Sequence, residues 1–194
     1  MSDRGRFRLQ AFDKAIYCDD FCSESEALNR YFWQQVSQDI RRRVAACFIA
    51  LDAENHVAGY YTLASTSIVL GDLPEHLAQK LPRYPSIPAV LMGRLAVDKR
   101  YTGQGLGAAL LADALWRAAH AEIAAYALLV DAKDEMAVQF YRHFGFLSFT
   151  DQPLQLSYPL PSVDKGRKGV RKTREVGYFK IKGNSVMYCP IMLF

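Results

Sequence analysis

The chain is short of several things that would fix its class at once. It has only four cysteines, Cys18, Cys22, Cys47 and Cys189, in 194 residues, too few and too scattered for a disulfide-built scaffold. Only Cys18 and Cys22 are close in sequence, and His56, His76, His120 and His143 do not complete a zinc-binding spacing. No metal is expected, and the cysteines read as reduced, small apolar groups. No uninterrupted apolar stretch approaches the roughly 20 residues of a membrane helix. The N-terminus, with Asp3, Arg4, Arg6 and Arg8, lacks the apolar core of a signal peptide. These readings predict a cytoplasmic protein without a membrane span. The body also lacks net positive charge: residues 1–160 hold 16 Lys and Arg against 18 Asp and Glu, whereas residues 161–194 hold 8 against 2. The overall charge of +4 therefore comes from the tail. A polyanionic partner must be argued from local clusters, not from the pI.

What is present is apolar patterning sufficient for one buried domain, since 51% of residues are hydrophobic. Alternation over Phe7–Phe12 predicts a strand, and Leu28, Tyr31, Phe32, Val36 and Ile40 predict one helix over 23–43 closed by Arg41–Arg43. Val44–Leu51 and His56–Val69 read as a hairpin about Asp52–Asn55. Leu73–Leu81 reads as a short helix, and Pro82, Pro85 and Pro88 mark an extended connector. A central strand is expected over Val90–Val97, then a helix over Gln104–His120, a strand over Tyr126–Val130 and a helix over Lys133–His143 that Gly145 terminates. Strands are expected at Phe146–Phe149 and Leu154–Tyr158. The order predicts an α/β (α+β) fold with a mixed, mostly antiparallel sheet flanked by helices. Residues 1–160 form the expected domain. Residues 161–194 form a basic extension whose Val176–Ile181 and Ser185–Leu193 could pair as a hairpin.

Between the central strand and the long helix stands Arg100-Tyr-Thr-Gly103-Gln-Gly105-Leu-Gly107. Glycines at that position let backbone N–H groups converge on an anion, and the helix N-terminus adds its partial positive charge. The physical reading is a pyrophosphate cradle.

The loop, with Leu95-Ala-Val97 before it, Val130-Asp131-Ala132 after the helix, and Ala137-Val-Gln-Phe140-Tyr141-Arg-His-Phe144-Gly145-Phe146, resembles the GNAT superfamily of acetyl-CoA-dependent N-acetyltransferases. Arg100, Gly103 and Gly105 match its Arg/Gln-x-x-Gly-x-Gly/Ala signature. The likeness narrows to the GNAT toxins of bacterial toxin–antitoxin pairs through Glu26-Ala-Leu-Asn29 with Tyr31, Gln38-Asp39, Val57-Ala-Gly59-Tyr60-Tyr61-Thr-Leu63, Leu81-Pro-Arg-Tyr84-Pro85, Gly93-Arg-Leu-Ala-Val-Asp98 and Asp131-Ala-Lys. It covers residues 6 to 160.

The resemblance implies transfer of acetyl from acetyl-CoA to the α-amine of an aminoacyl-tRNA, which blocks translation, neutralisation by a ribbon-helix-helix antitoxin, and a homodimer. It assigns Leu95, Ala96, Val97, Arg100, Thr102, Gly103, Gln104, Gly105, Leu106, Gly107, Ala108, Asp131, Ala132, Ala137 and Phe140 to the cofactor. Tyr141 is the implied general acid for the thiolate, or else a core aromatic beside Phe140 and Phe144. Asp131 is a base or the cap of the next helix. Arg41, Arg42, Arg43, Arg94 and Lys99 are candidates for RNA, or surface charges. Tyr60, Tyr61 and Tyr84 wall an acceptor pocket or pack the fold. Two other functions share the same cofactor loop: acetylation of a small amine or protein N-terminus, and an inactive CoA-binding interaction module.

Overall fold

In a computed structural model, which describes residues 7–16, 20–73, 78–79, 81–149 and 152–161, the predicted alternation becomes seven strands and four helices among the described residues. They run β1 (Arg8–Ala11), α1 (Glu26–Gln34), α2 (Val36–Arg41), β2 (Ala46–Leu51), β3 (Val57–Val69), β4 (Ser86–Val97), α3 (Leu106–Ala119), β5 (Ala127–Asp131), α4 (Glu135–His143), β6 (Leu147–Ser148) and β7 (Gln155–Pro159). Single 3₁₀ turns follow β3 and β4, at Leu70–Asp72 and Lys99–Tyr101. The sheet order is β1-β2-β3-β4-β5-β7-β6. The β1–β2, β2–β3, β5–β7 and β6–β7 pairs are antiparallel, so the expected mixed, mostly antiparallel α/β fold is borne out. No described helix is long and apolar enough to cross a membrane.

Packing falls into two units, the described residues of 1–66 with 90–114 and those of 67–89 with 115–161. In the first, Phe21, Tyr31, Phe32, Val36, Cys47, Ile49, Leu51, Val57, Tyr60 and Ala96 form one buried cluster. The i, i+3, i+4 spacing of Leu28, Tyr31 and Phe32 turns one face of α1 onto the sheet. Phe32 stacks on Tyr60 at 4.4 Å between ring centroids, and the Tyr60 hydroxyl donates to the Leu28 carbonyl at 2.8 Å. Gly59 lets β3, β4 and α3 close together: a Cβ there would lie 2.9 Å from both the Ala96 carbonyl oxygen and Leu110 Cδ1. One neighbour is backbone and cannot swing aside. Gly59→Ala is therefore expected to destabilise the protein by about 1–3 kcal/mol through overpacking, measured by denaturant unfolding.

In the second unit Leu128, Val130, Val138, Phe146, Phe149 and Leu156 are buried. Tyr126 N–H donates to the Pro88 carbonyl at 2.8 Å, and Gly145 ends α4 at φ +90°, as its place in the sequence predicts.

Several expected boundaries move. The helix expected over 23–43 is two helices, because Gln35 departs from helical geometry at φ −117°, ψ −33°, while the buried stripe continues across the break through Val36. The strand expected from Val90 begins at Ser86 and takes in Pro88. A proline fits there because it needs only to accept, and Tyr126 supplies the donor. The strand expected over Phe146–Phe149 is two residues long. The helix expected over 73–81 falls largely on residues 74–77 and 80, and the hairpin of the basic tail on 176–193; both lie outside the described residues.

Candidate cofactor and acceptor site

The glycine loop is built as an anion cradle. Gly103 and Gly105 hold φ of +76° and +81°, the left-handed region that side-chain-bearing residues avoid. A Cβ at either would meet nothing within 4 Å, so the loop faces open space. The loop leads straight into α3. Among the described residues, the amides of Gly103, Gly105, Leu106, Gly107 and Ala108 have no acceptor. Five unpaired N–H groups at the positive end of a 14-residue helix fit a pyrophosphate. Thr102 and Gln104 are exposed beside them, and Gln104 Nε2 donates to the Arg100 carbonyl at 2.9 Å.

Asp98, 1% exposed, anchors this loop. Its carboxylate accepts from the Arg100 amide at 2.9 Å, Arg100 Nε at 2.8 Å, Arg100 Nη2 at 3.1 Å and the Cys22 amide at 2.8 Å. Burial alone would raise its pKa, but the hydrogen bonds from Arg100 and the two amides outweigh burial and hold it below the usual carboxylate value. Arg100 also reaches Asp20 at 3.3 Å. The guanidinium that the sequence pattern assigns to the cofactor is thus engaged by two carboxylates, and its local part is to fix the loop. Tyr101, next along, donates to Asp52 at 2.5 Å. That hydrogen bond, with burial second, pushes the Tyr101 phenol up to about 12.

Asp52 belongs to the β2–β3 turn, where its carboxylate also accepts the Glu54 and His56 amides at 3.0 and 2.8 Å. Ligand atoms of Asp52, Glu54 and His56 lie within 4.8 Å of one another, but the Asp52 carboxylate is committed to closing the turn. The loop is therefore held from two directions that sequence reading missed. A carboxylate two residues before the amide it accepts, as in Asp98–Arg100 and Asp52–Glu54, marks a turn aspartate in the sequence but not its distant partner.

On the strand before the loop, Ala96 is buried and Leu95 and Val97 are half-buried. The Asp98 amide returns to the Ala58 carbonyl at 2.8 Å. Tyr60 and Tyr61 are fully buried, so packing and not an exposed pocket wall is their place. The Tyr61 hydroxyl donates to Asp113, a buried carboxylate on α3. Tyr84 is 63% exposed and borders a hollow with Leu70, Leu81, Arg83 and Pro85.

In the second unit, Tyr141 is 8% exposed, and its hydroxyl makes no hydrogen bond among the described residues. Burial pushes its pKa up to about 12. Phe140, half-buried, meets Tyr141 and Phe144 edge-on at 5.2 and 5.1 Å. Asp131 is not the cap of α4: it ends β5 and accepts from Gln155 Nε2 at 2.9 Å. The cap is Asp134, whose carboxylate accepts the Ala137 amide at 2.8 Å, because the helix starts at Glu135 and a cap must stand just before it. Ala132 is buried and Ala137 half-buried.

Of the basic candidates, Arg41, Arg42, Arg43 and Lys99 are exposed, and Arg43 has φ +59° at the exit from α2. Arg94 differs: it is half-buried, with its guanidinium carbon 3.5 Å from the centre of the Tyr31 ring.

The acetyltransferase (GNAT) domain family matches residues 44–147. The tRNA-acetylating toxin of Mycobacterium tuberculosis (strain ATCC 25618 / H37Rv) is 34% identical over 138 residues, 70% of this chain and 81% of its own. Among solved structures, AtaT complexed with acetyl-methionyl-tRNAfMet is 30% identical with a TM-score of 0.74, covering 79% of this chain and 94% of AtaT. A tyrosine-to-phenylalanine variant of AtaT, bound to acetyl-CoA and the C-terminus of the antitoxin AtaR, is 25% identical with a TM-score of 0.67, covering 80% and 94%.

Proposed function

Because the chain belongs to the GNAT acetyltransferase family, we propose that it is a toxin that transfers acetyl from acetyl-CoA to the α-amine of an aminoacyl-tRNA and so stops translation. The observation that carries this reading is the joint likeness to a tRNA-acetylating toxin and to a toxin solved with an acetylated aminoacyl-tRNA. Acetyl-CoA supplies an activated thioester. The unpaired amides of Gly103, Gly105, Leu106, Gly107 and Ala108 bind its pyrophosphate, with Thr102 and Gln104 beside them, and the main chain of Leu95 to Val97 aligns its pantetheine arm. The likeness to the family also assigns Asp131, Ala132, Ala137 and Phe140 to the cofactor.

Tyr141 is the general acid. Its raised pKa keeps the phenol protonated at neutral pH, which a group that must donate a proton to a departing thiolate requires. The acceptor needs no strong base, since even a peptide α-amine has a pKa of about 7.7–8.0 and is partly neutral at physiological pH. Arg41, Arg42, Arg43 and Lys99 meet the RNA backbone. Residues 1–160 form the catalytic domain and 161–194 a basic extension. The working form is a cytoplasmic homodimer held inactive by a ribbon-helix-helix antitoxin. Cell-free translation tests the reading: addition of the protein with acetyl-CoA is expected to stop synthesis, and fresh aminoacyl-tRNA to restore it. Undiminished synthesis with every charged tRNA present would reject it.

A further inference from the structure

Arg94 stands apart from every other cation considered for RNA. It projects from β4 two residues before Ala96, on the same face of the strand, about 7 Å upstream at the usual rise per residue. Its guanidinium lies on the Tyr31 ring at 3.5 Å, and among the described residues it makes no hydrogen bond or ion pair. An arginine that is half-buried and yet finds no carboxylate among the described residues is uncommon, since such groups normally find one.

The ring beneath it is fixed in turn. Tyr31 is 4% exposed, is stacked near-parallel with Tyr60, and donates its hydroxyl to Asp39 at 2.9 Å. Asp39 is itself tied down, its carbonyl accepting the Val44 amide at 2.9 Å as the chain leaves α2. A guanidinium held over an aromatic face uses its charge there and leaves the N–H groups of its edge able to donate to a planar or tetrahedral oxyanion.

We propose that Tyr31, steadied by Asp39, is a positioning residue that presents Arg94 to the phosphodiester nearest the aminoacyl ester of the acceptor RNA. The proposal rests on the acceptor assignment above. Chemistry selects that phosphate. The ester is carried on the terminal ribose, and the same ribose bears the last phosphodiester on its 5′ oxygen, one sugar ring from the reacting amine. A fixed cation two residues from Ala96 and the strand that aligns the acetyl arm is suited to that separation, whereas the exposed Arg41 to Arg43 suit more distant phosphates.

The test uses aminoacyl-tRNA carrying either the native terminal phosphodiester or a neutral methylphosphonate in its place. With the wild-type protein the neutral linkage is expected to lower kcat/KM about tenfold or more, the effect of losing one charge-assisted hydrogen bond. Arg94→Gln is expected to lose the same factor on native tRNA and nothing further on the neutral one, with KM for acetyl-CoA unchanged. Tyr31→Leu should behave like Arg94→Gln, and Tyr31→Phe, which keeps the ring but drops the hydrogen bond to Asp39, should lose less than Tyr31→Leu. Should Tyr31→Leu fail to fold, Arg94→Lys carries the test, expected to keep part of the discrimination that Arg94→Gln abolishes. Losses that multiply between Arg94→Gln and the neutral linkage, or an Arg94→Gln rate within about twofold of wild type, would overturn the proposal while leaving the acceptor assignment standing. A wild-type protein that acetylates no charged tRNA would reject that assignment and this proposal together.

Discussion

Tyr141→Phe is expected to lower kcat at least tenfold, the low end of what general acid catalysis contributes, while acetyl-CoA affinity stays within about a factor of two. The substitution removes one oxygen and keeps the ring that packs 5.4 Å from Phe146. That oxygen makes no hydrogen bond among the described residues, so its loss leaves no orphaned partner and little cost in stability. Titration provides a second check. The buried phenol titrates at about 12, above the ordinary tyrosine value of 10, so no loss of rate from its deprotonation is expected up to pH 10. Equilibrium binding and single-turnover transfer, measured on both proteins, separate the proton from the packing. An unchanged rate would leave Tyr141 a core aromatic.

Asp98→Ala is the largest expected loss of stability. It deletes the acceptor of four hydrogen bonds that join Arg100 and the Cys22 amide. Losing one partner of a buried ion pair costs 3–5 kcal/mol, but the Arg100 side chain is 43% exposed and water relieves part of that. The expectation is on the order of 2–3 kcal/mol, or about 4–12 °C in Tm for a chain of this size. Acetyl-CoA binding should weaken as well, because the loop bearing Gly103 and Gly105 starts from this anchor. The pH dependence has a definite sign. The folded carboxyl titrates below its ordinary value of 3.8, so its stabilising effect is present above that value and is lost as pH falls through the lower folded pKa. The gap in unfolding free energy between wild type and Asp98→Asn should therefore close on acidification below about 3.8.

Much of this was legible in the residues. The apolar spacing of Leu28, Tyr31, Phe32 and Val36 located the buried face of the first helices, and glycines between a strand and an alanine-rich helix located the cradle. Their positive φ values are what that composition required. What escaped was set by contacts across the chain. No local signal distinguishes Asp98, which binds Cys22 across 76 positions, from an ordinary turn aspartate, or shows that Tyr101 reaches Asp52. The split at Gln35 was hidden because the apolar stripe runs on through the break. Asp131 stands before a helix as a cap would, but Asp134, three residues on, fits the start at Glu135. The basic residues looked alike in sequence. Only the Tyr31 ring beneath Arg94 separates that residue from the exposed Arg41, Arg42 and Arg43.

Direct labelling identifies the acceptor. The protein is incubated with acetyl-CoA labelled in the acetyl group and a full set of charged tRNAs, the RNA is recovered and mildly deacylated, and the released label is identified. Label is expected in α-N-acetylated amino acid, dependent on charging of the tRNA and formed at least tenfold more slowly by Tyr141→Phe. Label confined to free amines or protein termini, or absent from every charged tRNA, would contradict the assignment of aminoacyl-tRNA as acceptor.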